Sequence, residues 1–211
     1  MKHLVHPLFI EIDKFESWAE VMLSKPSTIS AEWETDYPDW DAIEAHFKDF
    51  IRSLPSSRWN SNELSLLEYI IARDNECERL VEDLTDDALI ALSEYALIHG
   101  EQDSKWQLAN ALPRIADTQK AIGLIERYVN DAEEYVNRIA LMALAKVDPQ
   151  KAERYCEAHW IRNLYGDIDE YQRMAVLATL KEIGSPLLES YLKLAKEDGR
   201  PYLVNLASEL E

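Results

Sequence analysis

The stretch YGDIDEYQR, Tyr165 to Arg173, places Asp167, Asp169 and Glu170 within four residues. Carboxylates that close together can clamp a cation, share a proton as a catalytic pair, or cap the start of a helix. A calcium loop of the EF-hand type needs oxygen ligands through its twelfth position around a central glycine. Here Gly166 precedes the acids and Tyr-Gln-Arg follows them, which argues against a metal clamp.

The other residues that could do chemistry are sparse. The histidines are His3, His6, His46, His99 and His159. His3 and His6 alone supply two ligands, which do not fix a metal. Cys156 and His159 are spaced i,i+3 on one helix face, the spacing of a thiolate–imidazole pair. Cys156 also falls on the apolar stripe of Ala152, Tyr155 and Trp160, where a cysteine serves as a small hydrophobe. No glycine-rich phosphate loop and no nucleophile elbow is present. The expectation is a protein without catalytic residues, cofactor or metal.

The acids of YGDIDEYQR recur elsewhere. GEQDS holds Glu101 and Asp103, NDAEEY holds Asp131, Glu133 and Glu134, and KEDGR holds Glu197 and Asp198. Each group stands in a turn that leads into a helical pattern. Acids there cap free N–H groups and complement the helix dipole. If the turns stack, they also form a ridge of carboxylates along one edge. The whole chain leans the same way, with 40 acids against 22 bases and a formal charge of −18. That field repels phosphate backbones, so direct nucleic-acid binding is not expected. It attracts basic proteins and speeds encounter with them.

A second acidic group is mixed with aromatics. SAEWETDYPDWD, Ser30 to Asp41, carries Trp33, Tyr37 and Trp40 among Glu32, Glu34, Asp36, Asp39 and Asp41. Pro38 argues against continuous helix there. The segment reads as a loop that caps the first of the following helices. Trp33, Asp36, Tyr37 and Asp39 join the turn acids as candidate partner contacts, because aromatic anchors with charge around them suit an interface.

The elements that must position these groups read as helices. Only 5 Gly and 8 Pro occur, too few for a turn-rich β fold. Apolar residues at helical spacing predict helices from Thr85 to Gly100, from Thr118, after the Asp148-Pro149 start, and after Ser185-Pro186. Between them lie segments richer in small apolar residues, from Tyr135, Tyr171 and Pro201, which predict more buried helices. The segment from Ser104 is expected to kink at Pro113. A short helix is expected around Phe15–Leu23, a longer one from Trp40, and a further one from Asn62.

A repeat underlies the pattern. Val136-x-Arg138-x-Ala140-x-x-Ala143 matches Tyr171-x-Arg173-x-Ala175-x-x-Ala178. Helical hairpins recurring at about 30–45 residues are the mark of stacked α-solenoids. VNRIALMALAKVD and YQRMAVLATLKEIG resemble the second helix of HEAT-type repeats, and the resemblance covers about residues 85–211. It implies an all-α fold, an α-α superhelix of right-handed sense, with an atypical N-terminal cap. The chain is expected to be one domain over 1–211, with 1–60 as cap and 61–211 as hairpins. Some HEAT-type hydroxylases bind iron through His-Glu dipeptides, and this chain has none.

The fold and charge together resemble acidic immunity proteins, which neutralise basic toxins, often nucleases, by presenting carboxylates where phosphates would bind. The partner expected is therefore a basic protein, with a toxin domain in first place. The alternative is a general scaffold that takes a peptide in its concave groove through Asn137, Arg138, Gln172 and Arg173. Cys77 and Cys156 form no disulfide framework, which fits a reducing cytoplasm. No signal peptide and no membrane span is expected.

Overall fold

The computed structural model describes residues 6–24 and 32–211; His3 and the first two residues of the aromatic segment, Ser30 and Ala31, lie outside them. The fold is all-α, and no strand occurs among the described residues. Twelve α-helices are present there. They are α1 (Pro7–Leu23), α2 (Trp40–Ser53), α3 (Ser61–Arg73), α4 (Arg79–Glu82), α5 (Asp86–His99), α6 (Gln102–Ala111), α7 (Thr118–Val129), α8 (Glu134–Val147), α9 (Pro149–Ile161), α10 (Asp169–Glu182), α11 (Leu188–Asp198) and α12 (Pro201–Glu209). None of them is long and apolar enough to cross a membrane. The chain forms two compact units, Met1–Leu108 and Ala109–Glu211.

Local chemistry sets most helix boundaries. Thr85 accepts the N–H of Ala88 and starts α5, and Asp148 accepts the N–H of Lys151 at 3.0 Å and starts α9 with Pro149 behind it. Asn60 and Glu63 close a capping box on α3, each accepting the other's backbone N–H. Three boundaries differ from the sequence reading. α1 begins at Pro7, well before Phe15, because His6 Nδ1 accepts the N–H of Leu8 and acts as the cap. α11 begins at Leu188, because Ser185 caps the N–H of Leu187 in a turn and the helix follows it. Pro113 ends α6 rather than kinking it; the chain passes into a 3-10 turn at Leu112–Arg114.

In the first unit, α1 packs on α2 and α3, and α3 on α5. Phe15 is fully buried and lies against Tyr37 at 5.0 Å, Trp40 at 5.2 Å and Trp18 at 5.6 Å between ring centroids. Trp33 stacks on Trp18 at 5.6 Å. The segment 33–41 is a 3-10 turn (Trp33–Asp36) followed by the Pro38 turn, and it closes over α1 through these rings.

In the second unit, α8 packs on α7, α9 and α10, and α10 on α9, α11 and α12. α8 and α10 carry the densest buried faces. Val136, Ala140, Leu141, Leu144, Val176, Leu177 and Leu180 are all fully buried. Within this layer Asn137 and Gln172 are also fully buried, and Gln172 Nε2 donates to Asn137 Oδ1 at 2.7 Å.

Candidate functional site

The turn acids divide by what their carboxylates meet. Glu134, Asp169 and Glu170 are buried. Glu134 takes the Arg138 guanidinium at 2.9 Å, Asp169 accepts the N–H of Tyr165 at 3.3 Å, and Glu170 accepts the N–H of Leu203 at 3.0 Å. Asp131 is half-buried and caps the N–H of Glu133 at 3.0 Å. Asp103 is half-buried and accepts the Trp106 indole N–H at 3.3 Å. Asp198 is bound by Arg173 and Arg200. Glu101 is exposed but paired with Arg73. Glu133 and Asp167 stand exposed in the second unit.

For Glu170 the inward turn has a simple cause. The first N–H groups of a helix have no partner of their own, so a nearby carboxylate that reaches them is held there. Glu68 in α3 does the same in the first unit, accepting the N–H of Glu101 at 2.7 Å and the Ser104 hydroxyl. Burial pushes the Glu68 and Glu134 carboxyls above the ordinary carboxylate range, while Ser104 and Arg138, respectively, pull in the opposite direction.

A feature the sequence reading missed sits at the N-terminal ends of α8, α10 and α12. Arg138 lies over the Tyr135 ring at 4.6 Å and over the Tyr171 ring at 5.7 Å. Tyr171 in turn stacks on Tyr202 at 6.2 Å and 25°. Tyr171 is 40% exposed and Tyr202 59% exposed, large values for rings in a folded chain. The α9–α10 connection adds Leu164 and Ile168, both exposed. This column joins three helices into one aromatic edge, with Glu133 and Asp167 in the turns that enter α8 and α10. The signal was masked because Tyr135 and Tyr171 are off the repeat register by one: it is Val136 that aligns with Tyr171.

Of the groove residues of the alternative reading, Asn137 and Gln172 are committed inside the fold, and Arg138 and Arg173 are half-buried. Asn137 and Gln172 are fully buried and bonded to each other, and Asn137 also donates to the Tyr165 hydroxyl at 2.7 Å. Arg173 donates to Trp160 O at 3.0 Å and Asn163 at 2.9 Å as well as to Asp198.

In the first unit, Tyr37 is buried and Trp33 half-buried in the aromatic cluster, whereas Asp36 and Asp39 are exposed and ion-pair with no described residue. No group of three or more His, Cys, Asp or Glu able to hold a metal occurs among the described residues. Burial pushes the Cys156 thiol up to about 12. Burial, with Arg162 nearby, lowers His159 to about 4. At neutral pH the two are a thiol and a neutral imidazole of low basicity, which does not draw the proton from a thiol raised that far.

No family model, curated protein or solved structure matches the chain.

Proposed function

We propose that this chain is a non-enzymatic protein-binding module that docks a basic protein, a toxin domain such as a nuclease being the foremost candidate, as an immunity protein does. The observation that carries the reading is the column of Tyr135, Tyr171 and Tyr202, in which the Tyr171 and Tyr202 rings are exposed, with Glu133 and Asp167 unburied in the adjoining turns. Clustered tyrosines are efficient interface anchors, and acids near them orient and attract a cationic partner. The net charge of −18 extends that attraction over the surface. The groove scaffold draws less support, since Asn137 and Gln172 have no free surface to offer.

For the fold, the reading is a HEAT-like right-handed superhelix. Its support is the packing of α8 on α10 and of α10 on α12, and the Asn137–Gln172 bond, which spans the same 35 residues as the Arg138/Arg173 repeat. A reducing cytoplasm remains the proposed location, on the two free cysteines.

The test is capture of a partner by the intact chain, compared with Tyr171→Ala/Tyr202→Ala and Glu133→Lys/Asp167→Lys. A basic protein released by about 0.5 M salt, where screening reaches a few Å, and lost by both variants supports the reading. Equal capture by both variants, or a partner that is acidic and salt-insensitive, overturns it.

A further inference from the structure

We propose a second ligand site, in the first unit, that takes the guanidinium group of an arginine displayed on a polypeptide. It is a cavity of about 250 Å³ between the segment 35–44 and the loop that joins α3 to α4. It is separate from the tyrosine edge and stands or falls independently of it.

The walls supply two different kinds of surface. Tyr37, Pro38 and Trp40 contribute rings and aliphatic carbon. Asp41 and Glu44 on α2, and Asp74 and Glu76 in the connection after α3, contribute carboxylates. Arg73 and Arg79 also border the space, but each is already engaged. Arg79 Nη1 is 2.8 Å from Glu44 Oε1, and Arg73 is bound to Glu101 and lies over the Tyr69 ring at 5.0 Å. Asp41 and Glu76 are exposed and ion-pair with no described residue. The cavity thus carries unneutralised negative charge beside an aromatic wall.

The loop that carries Asp74 and Glu76 is built rather than slack. Asp74 is buried, and its Oδ2 accepts the N–H of Leu80 at 2.8 Å. Asp74 O accepts the N–H of Glu78 at 2.8 Å, and Glu78 holds a left-handed backbone at φ 54°. A non-glycine residue keeps that conformation only where its surroundings fix it. That loop is therefore preorganised, which lowers the ordering cost of a guest.

Those surfaces select the guest. Negative charge excludes anions. An aromatic wall favours a delocalised, weakly hydrated planar cation over a compact ammonium, and a guanidinium offers donors to two carboxylates at once. Arginine meets both demands; lysine meets the charge alone.

The experiment is an NMR titration of the 15N-labelled full chain with N-acetyl-arginine-methylamide, against the matched lysine compound and the neutral citrulline compound. The Trp40 indole N–H, which donates to Glu34 O at 2.7 Å, and the amides of Cys77 and Arg79 report on the cavity. The expected result is saturable shifts at these signals with the arginine compound, about tenfold weaker binding of lysine, and none of citrulline. Asp41→Asn/Glu76→Gln, both at exposed positions, should weaken arginine binding by about threefold or more. Equal binding of citrulline, equal binding of lysine, shifts confined to other regions, or an unchanged double variant would each overturn the assignment.

Discussion

Gln172 Nε2 lies 2.7 Å from Asn137 Oδ1, and both side chains are wholly buried, one on α10 and one on α8. A buried amide pair of this kind fixes the register of two packed helices, because any slip leaves both groups without a partner. Asn137→Ala should destabilise the second unit by about 1–3 kcal/mol, the usual cost of stranding a buried polar group. Replacing both residues by Leu should recover part of that loss. Urea unfolding of the singles and the double decides it; strictly additive losses would show that the two amides are not coupled.

Glu170 makes a different kind of link, from the start of α10 to the start of α12. Glu170→Ala removes the acceptor of the buried N–H of Leu203. Hydrogen exchange should show the first turn of α12 losing protection while α7 keeps its own. Glu68→Ala should act the same way on the start of α6.

Asp74 gives a pH dependence of definite sign. Burial raises its carboxyl from 3.8 to about 6. The folded state therefore holds this proton more tightly than the unfolded state. Its contribution to stability is fully present below about pH 4 and is lost as pH rises through 6. Asp74→Asn keeps an oxygen for the Leu80 N–H and abolishes the titration. The variant should be more stable than the parent at pH 7 by about 1–3 kcal/mol, with the difference vanishing near pH 4. A difference that does not change between these pH values would contradict the burial of this group.

His159 titrates with the opposite sign. Its lowered value of about 4 means the folded state prefers the neutral ring, so its contribution is complete above about pH 6.5 and lost as pH falls toward 4. The stability difference between the parent and His159→Gln should shrink across that window, as thermal unfolding at stepped pH would register.

The two cysteines should part cleanly. Cys77 is exposed, while Cys156 is buried with its thiol pushed up to about 12. Alkylation of the native chain at pH 8 should modify one thiol, located at Cys77 by peptide mapping, and denaturant should release the second. Modification of Cys156 at the same rate as Cys77 would contradict the packing of α9.

Helix starts at Thr85, Asp148-Pro149 and Pro201 were legible because their chemistry is local: a short polar cap or a proline at the first turn. The start of α1 was not, since a histidine caps it through Nδ1, outside the usual set of capping residues. The acidity of the turns was equally legible. The direction in which each acid points was not, because the donors that draw Glu170 and Glu68 inward belong to helices about 33 residues later. The tyrosine edge depends on rings from three helices meeting in space, and no single helix announces it.

The bond between Glu170 and Leu203 also acts as a ruler. It crosses 33 residues, so the whole excursion through α11 has a fixed span between two anchored ends. Most surface connections tolerate added length with little penalty. Here an insertion between Gly184 and Gly199 has to be looped out completely, with both anchors left in place. One that shifts α12 along its axis by a single residue carries the Leu203 N–H away from its carboxylate. Length variation in this region should therefore be confined to outward bulges, while the distance from α10 to α12 stays constant.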